Sequence, residues 1–135
     1  MSDAYDLGRA GEEAAARYLT FHDYRLLARN WRFEHAEIDL IAEAFGLLIV
    51  VEVKTRATEA YGDGLDSVDA EKQRLLARAA EAYIRQHGLH LPVRFDVITV
   101  TGRQAPFRIT HYRDAFLPPS AGDGSGRYFR PKDGH

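Results

Sequence analysis

The chain of 135 residues contains no cysteine, one methionine and one tryptophan. Without thiols there is no disulfide framework, no thiolate metal centre and no cysteine nucleophile, and a reducing cytoplasm is the expected location. Long apolar runs are also missing. Nothing approaches the ~18 residues that span a bilayer, and the opening MSDAYDLGRAGEE has no apolar segment of the kind that directs export, so no membrane association is expected. A surplus of either charge is absent too: 18 Lys and Arg against 20 Asp and Glu give a formal net charge of -2. That balance argues against non-specific, histone-like nucleic-acid binding and leaves any basic site to local distribution. No internal repeat is visible.

What is present suits one compact α/β domain, residues 1–117, with 45% hydrophobic and 28% charged residues. From Pro118 the tail PPSAGDGSGRYFRPKDGH is mostly Gly, Pro and polar residues, and residues 118–135 are expected to be disordered. Leu7, Ala10, Ala14, Ala15, Tyr18 and Leu19 recur at helical spacing and predict a first helix over Asp6 to Phe21. Tyr24 to Phe33, YRLLARNWRF, reads as a strand that turns near Asn30. Glu37 to Ala42 and Leu47 to Thr55 read as two strands of a hairpin around the four-residue loop EAFG. A second helix is predicted over Asp69 to His87, closed by Gly88. VRFDVITV, Val93 to Val100, is a further strand, and Phe107 to Tyr112 a weaker last one. The third strand, the second helix and VRFDVITV form a crossover between parallel strands, expected to be right-handed. A strand as apolar as LLIVVEVK should then be covered on both faces.

The hairpin carries charges where apolar residues are expected. Glu37, Asp39, Glu52 and Lys54 stand among Ile38, Leu40, Ile41 and the run Leu47 to Val51. Strand side chains alternate, so Glu52 shares a face with Lys54, and Glu37 with Asp39. An even-numbered loop puts all four on the same side. With four loop residues, Ala42 pairs with Leu47, Asp39 with Val50 and Glu37 with Glu52. Three clustered carboxylates need a cation or a proton between them, and oxygen donors without His or Cys suit Mg²⁺ or Mn²⁺. Carboxylates on such an ion, with an ammonium beside an attacking water, make a phosphodiesterase arrangement.

Asp39, followed after twelve intervening residues by Glu52-Val53-Lys54, resembles the D…ExK signature of the PD-(D/E)xK nucleases, whose restriction-endonuclease-like αβββαβ core matches the order read above. More closely, GRAGEEAAARYL, LARNWRF, EIDLIA, VVEVKTR, Lys72 and RFDVITV, spread between Gly8 and Val100, resemble the YraN family, bacterial relatives of archaeal Holliday junction resolvases. The resemblance implies that Asp39, Glu52 and the Val53 carbonyl ligate the metal, that Lys54 faces the water, and that Glu12 leans toward them. One departure is that His35-Ala36 precedes Glu37 where the family commonly carries glycine.

The resulting expectation is a Mg²⁺- or Mn²⁺-dependent endonuclease acting on branched or structured DNA. Glu37 is either a third ligand or a partner of Lys54 or Arg56. Arg9, Arg29, Arg32, Arg56, Lys72 and Arg74 are candidates to hold phosphates, with Trp31 and Tyr61 available to bases or sugars. A mobile loop or a plain connector is expected over Thr58 to Asp66. His87 and His90, straddling Gly88, read as a surface coincidence. The rival is a nuclease-like fold that docks DNA or a repair protein without cutting it, and the third class is an acid-lined metal or protein contact with no nucleic acid. The negative net charge favours a partner or a homodimer that completes the DNA surface.

Overall fold

A computed structural model describes residues 3–58 and 68–118, with side chains from residue 6 onward. Tyr61, most of the Thr58 to Asp66 loop and all of the tail after Pro118 lie outside the described residues. The elements are α1 (Asp3–Phe21), β1 (Arg25–Phe33), β2 (Ala36–Ala44), β3 (Leu47–Arg56), α2 (Ala70–His87), β4 (Val93–Thr101) and β5 (Arg108–Phe116). The strands form one mixed sheet in the order β1-β2-β3-β4-β5, antiparallel except for the parallel pair β3–β4 that the α2 crossover joins. This is the expected α/β class, consistent with a restriction-endonuclease-like core.

Side-chain alternation decides how β3 is buried. Leu48 and Val50 face α2, where Leu76, Ala79, Ala80 and Tyr83 close over them together with Val93, Phe95 and Val97. Leu47, Ile49, Val51 and Val53 face α1 and pack with Ala15, Ala16, Leu19, Ile98 and Val100. Helix α2 starts where Asp69 caps it, accepting the Lys72 backbone N–H at 2.9 Å, and stops at Gly88 with φ 61°. Among the described residues no helix is long and apolar enough to cross a membrane.

Three local expectations change. The β2–β3 connection is not a four-residue loop: Ala44 pairs with Leu47, leaving the two-residue turn Phe45-Gly46 with φ of 57° and 74°. Paired positive φ values match the twist that a tight hairpin needs. The register therefore moves by two residues from the expected one, and an even shift keeps the paired side chains, Leu40 to Ala44 and Leu47 to Val51, on their faces. Strand β1 does not turn near Asn30 but runs through it to Phe33, accommodating it at φ 49°, a left-handed geometry that asparagine tolerates better than most residues. Strand β5 continues past Tyr112 to Phe116, pairing with β4 across a register shift between Phe95 and Val97.

That shift surrounds a buried ion pair on the α1 side of the sheet. Asp96, fully buried, accepts Arg94 Nε at 2.9 Å and Nη2 at 2.7 Å, the Asp114 N–H at 3.0 Å, and lies 2.7 Å from His111 Nε2. Arg94 also donates to the Tyr24 hydroxyl at 2.8 Å, and Tyr18 bonds His111 Nδ1 at 3.0 Å. Burial alone would raise the Asp96 carboxyl; hydrogen bonds with His111 and Arg94, the guanidinium charge and the Asp114 N–H hold it below the usual carboxylate range instead.

Close approach fixes where α1 lies. A Cβ on Gly11 would come within 2.0 Å of Thr55 Oγ1 and 2.8 Å of Thr55 Cβ, so rotating the threonine cannot make room. Gly11→Ala should force α1 away from β3, costing about 1–3 kcal/mol in a denaturant titration. Asp96→Asn strands the buried Arg94 charge and should cost about 3 kcal/mol near pH 7. A depressed carboxylate contributes stability above its unfolded pKa that is lost as pH falls through its folded pKa. The gap between wild type and Asp96→Asn should accordingly shrink below about pH 4, measured as melting temperature against pH.

Candidate functional site

The β2–β3 ladder closes at the pair Leu40–Val51. One step further, Asp39 and Glu52 occupy facing positions, in place of the expected Asp39–Val50 and Glu37–Glu52 pairs. The strands part here because the Asp39 side chain takes over a ladder bond: its Oδ2 accepts the Val53 backbone N–H at 2.8 Å. In an extended strand a residue's N–H and C=O leave on the same edge, so the Val53 carbonyl faces the same gap.

Glu52 lies on the α2 face, two residues beyond Val50, with its side chain 5% exposed. A carboxylate so enclosed requires partners. Two lysines share its Oε2, Lys54 Nζ at 3.1 Å and Lys72 Nζ, from the first turn of α2, at 2.5 Å. Burial works against the Lys72 ammonium, but its bond to Glu52, the Glu52 charge and the Asp39 charge raise its pKa. Asp39 has less help. Burial, then the Glu52 charge, raise its carboxyl to about 7, with Glu12 adding to the rise and the Val53 N–H and Lys72 opposing it.

Glu12 approaches from α1. Its carboxyl is raised by burial, lowered by a bond to the Asn30 side chain, and raised again by the charges of Glu37 and Glu52. It lines a cleft of about 740 Å³ with Arg9, Arg29, Asn30, Arg32 and Glu37. A second cleft, about 370 Å³, is lined by Glu37, Asp39, Glu52, Asp69, Glu71 and Lys72 among others. Glu37 is common to both, and its ion pair, at 3.7 Å, is with Arg32 opposite it on β1. Arg29 is bonded to Glu13 at 2.8 Å. Arg56 ends β3, half-buried, and its carbonyl accepts the Gly102 N–H. Trp31 is half-buried, packing edge-on against Tyr83 with ring centres 5.2 Å apart and lying parallel to Phe33. His87 Nδ1 lies 2.9 Å from the Tyr83 carbonyl oxygen.

The donors at the gap are two carboxylates and a backbone carbonyl. Among the described residues no three His, Cys, Asp or Glu side chains converge on a common point. An enclosed zinc or calcium site is therefore not built here, whereas Mg²⁺, which keeps several waters and uses one or two carboxylates, fits this set. Asn30, which holds Glu12, is a contributor that sequence patterning misses; its only signal is an asparagine in the middle of a strand.

A family model described as "Uncharacterised protein family UPF0102" matches residues 11–100, which include Glu12, Asp39, Glu52, Lys54 and Lys72. The chain belongs to UPF0102. Its UPF0102 relatives include a protein of Bacteroides thetaiotaomicron, 44% identical over 119 residues, and one of Bacteroides fragilis, 48% identical over 119 residues. Both alignments cover 88% of this chain and 98% of the relative. A UPF0102 protein of Chlorobium chlorochromatii is 46% identical over 82% of the chain and 91% of its own length.

A carboxyl raised on folding contributes stability that is complete below its unfolded pKa and lost as pH rises through its folded value. For Asp39 that window runs from about pH 4 to beyond pH 7. Asparagine imitates the protonated form and can still accept the Val53 N–H. Asp39→Asn should therefore match wild type near pH 4 and exceed it by on the order of 2–4 kcal/mol at pH 8 without added metal. Millimolar Mn²⁺ should raise the wild-type melting temperature and leave the variant unmoved.

Proposed function

We propose that the chain is a divalent-metal-dependent endonuclease that hydrolyses phosphodiester bonds in branched or otherwise structured DNA. The observation that carries this reading is the parting of β2 and β3 after Leu40–Val51, which sets the Asp39 carboxylate, Glu52 and the Val53 carbonyl edge around one gap with Lys54 beside them. Resemblance to the PD-(D/E)xK nucleases in these same residues supports it.

In this reading Asp39, Glu52 and the Val53 carbonyl hold Mg²⁺ or Mn²⁺, which when bound polarises a phosphoryl oxygen and lowers the pKa of a coordinated water. Asp39 must give up the proton that its raised pKa lets it keep near neutrality. Lys54, held by Glu52 Oε2, presents an ammonium that orients the attacking water and balances charge developing on the phosphate. Glu12, with Asn30 fixing it, closes the gap from the α1 side. The arginines of the larger cleft, Arg9, Arg29 and Arg32, flank the path that a DNA backbone would take past Glu37.

A second reading is a module that docks DNA or a repair protein without cutting, and what favours it is that the Lys54 ammonium is held by Glu52 Oε2 at 3.1 Å and is not free to face a water. Cleavage of a panel of linear, flap and four-way DNA in Mg²⁺ and in Mn²⁺ separates the two. Wild type should cut at least one branched substrate, and Lys54→Ala and Glu52→Gln should each lower turnover by about 10² or more. Binding of branched DNA with no cleavage in either metal, unaltered by Lys54→Ala, would establish the docking module instead.

A further inference from the structure

We infer that Lys72 is a built-in counter-cation for the Asp39–Glu52 pair, and that a divalent ion enters the site by exchanging with its ammonium. The inference rests on the metal-site reading above and concerns how that site is kept until the ion arrives.

Both ammoniums at the gap are paired with Glu52 and none with Asp39, so they serve as the cluster's counter-cations with no ion bound. Both ammoniums sit on one atom, Glu52 Oε2, Lys72 at 2.5 Å and Lys54 at 3.1 Å. A Mg²⁺-sized ion needs a carboxylate oxygen at about 2.0–2.1 Å. With two ammoniums already crowding that oxygen, it would bring a doubly charged cation against two like charges in a half-buried place where screening by water is weak. One ammonium has to leave.

Geometry selects Lys72. Its side chain is 37% exposed against 21% for Lys54, and it lines the 370 Å³ cleft that Asp39 and Glu52 also line, whereas Lys54 is not among the lining residues. Lys72 springs from α2, and its backbone stays anchored by the Asp69 cap while its four-carbon stem swings. Lys54 sits on β3 itself, beside the position required of it in hydrolysis. The displaced ammonium remains in the cleft, whose other charged lining groups, Glu37, Asp69 and Glu71, are acidic. Ion entry thus converts an internal ion pair into a free cation at the point where a phosphate would arrive.

Free Mn²⁺ measured by electron paramagnetic resonance during titration, without DNA, tests this independently of turnover. Wild type should bind one Mn²⁺ that Asp39→Asn does not. Lys72→Met and Lys72→Gln should each bind it at least threefold more tightly, since the competitor is gone. Arg32→Met removes an equal charge from the neighbouring cleft and should change affinity by less. If wild type binds Mn²⁺ but both Lys72 variants bind it equally or more weakly, or gain no more than Arg32→Met, the exchange is overturned while the metal site stands. If wild type binds no more Mn²⁺ than Asp39→Asn, the metal site itself fails and takes the exchange with it.

Discussion

The end of the β2–β3 ladder at Leu40–Val51 is the constraint on which the rest of the site depends. Strand β3 is covered by α1 on one side and α2 on the other, so along most of its length only apolar side chains can be accommodated. Where the two strands separate, a backbone N–H loses its ladder partner, and a buried donor without one costs about 1–3 kcal/mol. The Asp39 carboxylate supplies that partner through Val53, and in doing so is pinned beside Glu52. A structural need of the backbone and a concentration of negative charge are therefore met by the same side chain, and neither can be altered alone.

Two carboxylates of the sheet, fully buried Asp96 and half-buried Asp39, are treated in opposite ways. Asp96 is enclosed by a guanidinium, an imidazole and a backbone N–H, and its pKa falls in spite of complete burial. Asp39 receives one backbone N–H and faces Glu52 and Glu12, and its pKa rises to about 7. The first arrangement stabilises the ionised form over the whole neutral range. The second leaves the ionised form short of cations, which is what a group awaiting an external cation requires, and perturbed carboxylates of this kind concentrate at functional sites. Close contact of Gly11 with Thr55 serves the same site from the other side, since it sets the distance at which α1 delivers Glu12.

Much of this was legible in the sequence because side-chain parity is robust. Glu52 and Lys54 share the α2 face whatever the turn length, but Glu37 does not follow them by alternation: its neighbours Ala36 and Ile38 pack on the α2 side, and Glu37 pairs with Arg32 and lines the cleft beside α1. The loop itself was not legible: Phe45 is a poor advertisement for φ 57°, and only Gly46 signals a left-handed turn. Asn30 misled in the reverse way, its left-handed φ being accommodated within β1, from which its side chain bonds Glu12. RFDVITV read simply as a strand, because nothing local says that Arg94 and Asp96 satisfy each other; their partners Tyr24 and His111 lie 70 and 15 residues from the residues they bond. The packing of Trp31 on Tyr83 was not legible for the same reason, Tyr83 being on a distant helix.

The distribution of cations bears on the negative net charge. Near the gap, Arg29 is matched by Glu13, Arg32 by Glu37, and Lys54 and Lys72 together by Glu52. A surface whose basic groups are already paired offers little standing attraction to phosphate, because each contact to DNA first breaks an ion pair that costs something to replace. On the nuclease reading, affinity for DNA then depends on events that release those cations: a divalent ion that takes over Glu52, or a partner or second copy that takes over the carboxylates of the arginine-lined cleft. Such conditional exposure suits an enzyme that must ignore the bulk of intact duplex, where a permanently basic face would bind everywhere. It also accounts for a formal charge of -2 on a chain whose site residues resemble those of nucleases, since the carboxylates that lower the net charge are the ones that hold the site's cations in reserve.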